Sequence, residues 1–201
     1  FDSFTKNVCT KFNWCSTPEK RFVEKYKDVG YNNIAYATFH ANVDLYGSFP
    51  NEPKKYDRLF IGGLHGGRVD NLNFLASNGY PVAVPQGNTS FEDMVGLFSQ
   101  SKLCLNFTRD SSRKSTQMKA RTFEVIATGS MLLTEYTEDL DNCFGEGELL
   151  HFKSLEEAVD KIKWINENAD KANAIARRSY ERVVIEHDSC VRLKKLLEDI
   201  S

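Results

Sequence analysis

The chain has 201 residues, 41% of them apolar and 27% charged, with a formal net charge of −2. That length suits one α/β domain with an appendage or two small domains, and a core of this size folds without disulfides. The near-neutral balance excludes a general affinity for nucleic acid or acidic membranes, and no run of about 18 apolar residues is present to span a bilayer.

Thr17 and Pro18 are suited to open a first helix, as cap and first helical residue. Phe22, Val23, Tyr26 and Val29 then share a face, and Gly30 ends the run. Residues 33–39 read as a strand, with the Asn42-x-Asp44 pair capping the turn that follows. Residues 47–55, with Pro50 and Pro53, read as a linker. Beyond it, strands and helices alternate. Strands are expected at 58–62, 81–85, 102–107, 131–135 and 149–152. Between them helices are expected at 69–78, with Leu72, Leu75 and Ala76 inward, at 90–99 behind Ser90, and at 118–128 before Gly129. A short helix at 138–144, a helix opened by the Ser154–Glu157 capping box and a helical tail that breaks near His187-Asp188 complete the chain.

Alternation with short connections implies an α/β fold: a Rossmann-like parallel sheet with helices on both faces. Ligands of such sheets sit beyond the carboxyl ends of the strands, which singles out the loops 62–68, 86–90 and 108–118. The five cysteines, Cys9, Cys15, Cys104, Cys143 and Cys190, are odd in number and widely spaced. They read as reduced, buried thiols of a cytoplasmic protein, neither a disulfide framework nor a zinc site. The start Phe1-Asp2-Ser3-Phe4 has the character of neither a signal peptide nor an initiation site, which gives the expectation of a cut fragment.

The loop Gly62-Gly63-Leu64-His65-Gly66-Gly67-Arg68 fits neither a dinucleotide fingerprint nor a Walker A loop. Gly63, Gly66 and Gly67 allow a phosphate to approach the backbone at a helix start, and Arg68 adds a full charge; a purely structural tight turn is the alternative. Between Thr108 and Glu124, Arg109, Arg113, Lys114, Lys119 and Arg121 face only Asp110 and Glu124, among hydroxyls that include Thr116. Such a cluster suits a diphosphate, although a solvated loop has the same composition. Glu124, on an amphipathic helix, can accept both hydroxyls of a ribose, or serve only as a partner of Arg121. Of the four histidines, His40, His65, His151 and His187, none has metal-ligand spacing, and only His65 lies in a candidate loop.

The stretch Lys119-Ala120-Arg121-Thr122-Phe123-Glu124-Val125-Ile126-Ala127-Thr128-Gly129, followed by Leu132-Leu133-Thr134-Glu135, resembles the signature of the CgeB-like glycosyltransferases, within the GT-B group of two Rossmann-like domains. Asp57 to Gly63 with Gly67-Arg68-Val69-Asp70, Ser101 to Phe107, Tyr180-Glu181-Arg182 and Glu186-His187-Asp188 with Arg192 extend the resemblance over residues 17–195. It implies the C-terminal half of a GT-B fold: a nucleotide-sugar-binding domain at 49–201, preceded at 1–48 by the tail of an acceptor domain and its connector. It further implies diphosphate contacts from Arg68, Lys119 and Arg121, ribose contacts from Glu124, and transfer of a hexosyl-type group without metal or other cofactor. The fragment alone is expected to be inactive, its acceptor domain being the missing partner. Many retaining members carry a glutamate eight residues before the ribose one; Thr116 stands there, so the stereochemical outcome stays open, as do base, sugar and acceptor. A non-catalytic nucleotide- or phospholigand-binding module is the alternative function. A receiver-like or flavodoxin-like domain would need an acidic pocket where this chain has glycines.

Overall fold

The computed structural model describes residues 3–47, 53–87, 89–109 and 116–200. Most of the expected linker, Asn88 of the 86–90 loop and residues 110–115 of the basic loop lie outside them, so Arg113 and Lys114 are not placed.

Among the described residues there are two parallel sheets. The smaller pairs β1 (Cys15–Thr17) with β2 (Ile34–Tyr36) through the crossover helix α2 (Lys20–Asp28), after a short α1 (Ser3–Cys9). The expected helix start at Thr17 is corrected: Thr17 closes β1, and its hydroxyl accepts the N–H of Glu19, 3.4 Å away, so α2 begins only at Lys20. A three-residue polar strand has too few residues to show a period, which left the capping signal unopposed.

The larger sheet holds β3 (Cys104–Asn106), β4 (Leu132–Glu135) and β5 (Leu150–Phe152) in that order, all parallel, in the register Cys104↔Leu132 and Leu133↔Leu150. The segments 58–62 and 81–85 extend it by single parallel bridges, Leu59↔Cys104 and Leu59↔Ala83, rather than by full strands. The order across the sheet is therefore 81–85, 58–62, β3, β4, β5. Alternate residues serve opposite faces. Leu59, Cys104 and Leu132 join one core with Val95, Phe98 and Phe123, under α5 (Phe91–Ser99) and α6 (Arg121–Ala127). Phe60, Leu105 and Leu133 join the other with Leu75, Ala158, Ile162 and Ala172, under α4 (Arg68–Ser77), α7 (Leu155–Glu167) and α8 (Ala169–Arg182). The expected α/β sheet with both faces covered is what forms.

Local signals act as read at several ends. Ser90 accepts from the Asp93 N–H at 3.1 Å, Ser154 from that of Glu157 at 3.2 Å, and Asn42 caps the one-turn α3 (Val43–Tyr46). Leu75 is buried in α4 and Leu72 packs half-buried against the same core, but Ala76, expected inward, is exposed. α8 passes into a π-turn at Val183–His187, and Asp188 is extended before α9 (Ser189–Ile200). The thiols are free; Cys9, Cys104 and Cys143 are buried, while Cys190 is exposed on the outer side of α9 and Cys15 half-buried, against the expectation for both.

Candidate functional site

The chain moves from 58–62 through α4 to 81–85 on one side, then crosses back through α5 to β3 on the other. The strand order thus reverses between 58–62 and β3, and the crevice beyond their carboxyl ends is where such sheets bind ligands. A cleft of about 360 Å³ opens there. Phe60, Ile61, Gly62, His65 and Arg68 line one wall; Asn106, Lys119, Ala120, Arg121 and Glu124 line the other.

Arg68 is the first residue of α4 and only 7% exposed. It is reached through Gly66 and Gly67, consecutive left-handed residues with φ of 63° and 84°, a path that side chains with a Cβ resist. One terminal nitrogen donates to the Gly63 carbonyl at 2.8 Å and lies 3.3 Å from the His65 ring; the other donates to the Phe107 carbonyl at 3.1 Å. Nε is buried without a hydrogen-bond partner, and no carboxylate among the described residues pairs with this guanidinium. Burial lowers its pKa and the charge of Glu135 opposes the shift, but a guanidinium stays charged throughout the physiological range. Arg68 therefore brings to the cleft wall a desolvated cation whose Nε is buried without a partner.

The opposite wall is more internally paired. Arg121 donates to Glu124 at 2.9 Å and lies over the Phe98 ring, 5.2 Å from its centroid. Lys119 donates to the Gln117 side chain at 3.0 Å. Tyr46, from α3, lies near Glu124, and burial together with that carboxylate holds the Tyr46 pKa well above the usual phenol value. Tyr46 is fixed from behind by an edge-on contact with Phe91, centroids 5.2 Å apart.

The expected site residues divide. His65, Arg68, Lys119, Arg121 and Glu124 come together in the cleft. Gly63, Gly66 and Gly67 shape the turn behind it; a Cβ on Gly63 would fall 2.9 Å from the His65 ring. Arg109 and Thr116 do not line the cleft. Arg109 turns onto Glu135 at 2.9 Å, whose buried carboxylate also accepts the backbone N–H groups of Thr108 and Arg109. Thr116 is bridged to Arg109 and lines a separate cavity. The loop at 86–90 contributes no lining residue among those described. Asn106 and Tyr46 were missed. Asn106 had a signal, a single amide in the apolar run Leu103 to Phe107; buried, it donates to Thr134 at 3.0 Å. Tyr46 had none, because only the fold brings the chain before residue 48 against α6.

The model of the family described as glycosyl transferase-like matches residues 33–198. The chain belongs to that family. No curated protein matches it. Among solved structures, this glycosyl transferase-like chain is similar to a glycosyltransferase from Rickettsia africae, with a TM-score of 0.70 and 12% identity over 98% of this chain and 66% of that one. It is similar to HepE of Anabaena, solved with UDP and glucose, with a TM-score of 0.76 and 11% identity over 97% of this chain and 65% of that one. Sucrose-phosphate synthase from Thermosynechococcus elongatus gives a TM-score of 0.69 and 12% identity, over 95% of this chain and 58% of that one. The chain thus spans less than two thirds of each, and its fold is that of the GT-B glycosyltransferases. Among the described residues no helix is long and apolar enough to cross a membrane.

Proposed function

We propose that the cleft binds a nucleotide-diphosphate sugar and that residues 49–201 are the donor-binding part of a glycosyltransferase of the CgeB-like kind. The observation that carries this reading is Arg68: a 7%-exposed guanidinium with a partnerless Nε and no carboxylate, at the N-terminus of a ten-residue helix. A diphosphate supplies the missing charge and acceptors there, aided by the helix dipole and, from across the cleft, by Lys119 and Arg121. Glu124, oriented by Tyr46 and Arg121, accepts from the ribose hydroxyls. HepE, a protein of like fold, was solved with UDP-glucose, which is in keeping with this ligand class.

In transfer, the same cations stabilise the leaving diphosphate as charge develops on it, so that no resident metal or other cofactor is required. Residues 1–48 are the tail of an acceptor domain and its connector, and without that domain a cytoplasmic hexosyl transfer has no wall to hold the acceptor hydroxyl against the donor. Calorimetry with UDP, GDP, UMP and uridine tests the reading. Binding of at least one nucleoside diphosphate, with the diphosphate providing most of the affinity, is expected. Failure of both diphosphates to bind at millimolar concentration sinks it.

A further inference from the structure

The turn that leads into α4 also sets the chemistry of a side chain. Gly66 and Gly67 have φ of 63° and 84°, and the Arg68 N–H donates to the His65 carbonyl at 3.2 Å. This is a type I′ turn, which brings its first and fourth residues side by side. Those residues are His65 and Arg68, and both line the cleft.

Their contact fixes the state of the imidazole. The Arg68 terminal nitrogen that donates to the Gly63 carbonyl also lies 3.3 Å from His65 Nε2. A guanidinium only donates, so Nε2 accepts, and in this contact the ring is neutral with its proton on Nδ1. Gly63 fixes the orientation as well. A Cβ there would fall 2.9 Å from Cδ2 and 3.3 Å from Nε2, with the other ring atoms beyond 4 Å, so the Cδ2–Nε2 edge lies against the turn. Nδ1 is the ring atom opposite that edge. It points away from the turn, and it has no hydrogen-bond partner among the described residues. The exposed His65 thus carries one N–H donor of fixed tautomer beside a buried cation.

We propose that His65 binds the diphosphate by donating its Nδ1–H to a phosphate oxygen, and that Arg68, besides supplying charge, is the positioning residue that holds the imidazole in the tautomer to do so. The proposal rests on the nucleotide-sugar reading of the cleft. A neutral donor suits this place. A second full cation at residue 65 would be repelled by Arg68, whereas an imidazole accepts from the guanidinium on one side and donates to the anion on the other.

The test is calorimetry with the tighter-binding of UDP and GDP, and with the matching nucleoside, on wild type, His65→Ala, His65→Asn and His65→Gln. His65→Ala should weaken the diphosphate about fivefold and the nucleoside less than about twofold, as the loss of one hydrogen bond predicts. His65→Asn places an amide N–H where Nδ1–H stands and should bind within about twofold of wild type. His65→Gln places its amide where Nε2 stands, against Arg68, and should lose as much as His65→Ala. Nitrogen NMR of the wild-type imidazole at neutral pH should show the proton on Nδ1. The substituted side chain is exposed, so all three variants are expected to fold. Diphosphate affinity unaltered in His65→Ala, no recovery in His65→Asn over His65→Ala, or a proton on Nε2 overturns the proposal. If wild type binds neither diphosphate, the donor reading itself fails and this proposal with it; if wild type binds and His65→Ala binds equally well, only this proposal fails.

Discussion

Arg68 and His187 are both basic and both buried, at 7% and 0% exposure, yet their surroundings differ in kind. His187 packs against both Phe123 and Phe144, with ring centroids 4.9 and 5.7 Å away, the two phenyl rings themselves stacked 5.9 Å apart. Arg192 donates to its Nδ1 at 2.6 Å, which leaves the proton on Nε2, and Nε2 donates to the Cys143 carbonyl at 3.0 Å. Both ring nitrogens are satisfied by the chain. Arg68, which lines the cleft, spends its terminal nitrogens on carbonyls and keeps a buried Nε without a partner. A buried polar group whose partners are all internal holds the fold; one left short of an anion marks where something else completes it.

The closed region makes the largest prediction. Burial and the charge of Arg192 push the His187 pKa down to about 4, from the ordinary 6.5. As pH falls below about 6.5 the unfolded chain takes a proton that the folded chain refuses, so stability is full above that pH and is lost as pH falls toward about 4. The loss is on the order of 3 kcal/mol. Urea denaturation at pH 7 and pH 4.5 should show wild type losing about 2 to 3 kcal/mol more than His187→Gln across that interval. Equal losses would mean that His187 titrates normally and that the region is not closed.

Glu135 is the internal answer to Arg109, and so the counterpart of what Arg68 lacks. Glu135→Ala orphans the N–H groups of Thr108 and Arg109 and should cost about 2 to 3 kcal/mol of stability. A cost below about 0.5 kcal/mol by the same denaturation would show that this carboxylate does not hold the loop. A smaller effect belongs to Glu124. Glu124→Gln keeps the shape and should weaken UDP by about 1 kcal/mol more than 2′-deoxy-UDP. Equal weakening of both would leave Glu124 a structural partner of Arg121 and Tyr46.

The comparison also shows how far the sequence could be read. Apolar runs, caps and glycine stops located the alternation, and the topology that follows singled out the loops 62–68, 86–90 and 108–118; among the described residues only the first lines the cleft, whose other wall comes from Asn106, residues 119–121 and Glu124. Composition could not sort the cations within those loops. Arg68 and Arg109 each follow a strand of the same sheet, but Arg109 is met by Glu135, 26 residues later in the chain. That pairing depends on β3 and β4 being neighbours, which no local spacing encodes. Tyr46 was illegible for the same reason. Asn106 was legible and overlooked: an amide inside an apolar strand needs a buried partner or a ligand.

The central claim is that Arg68 reads the diphosphate of a nucleotide. Titrating UDP and uridine into wild type, Arg68→Ala and Arg109→Ala tests it in one experiment. Wild type should bind UDP much more tightly than uridine. Arg68→Ala should lose at least about tenfold for UDP, near 1.4 kcal/mol, and less than about twofold for uridine. Arg109→Ala should leave both within about twofold, because its half-exposed side chain pairs within the protein. If Arg68→Ala binds UDP as wild type does, or loses UDP and uridine in equal measure, the buried guanidinium belongs to the fold and the account of the cleft is wrong.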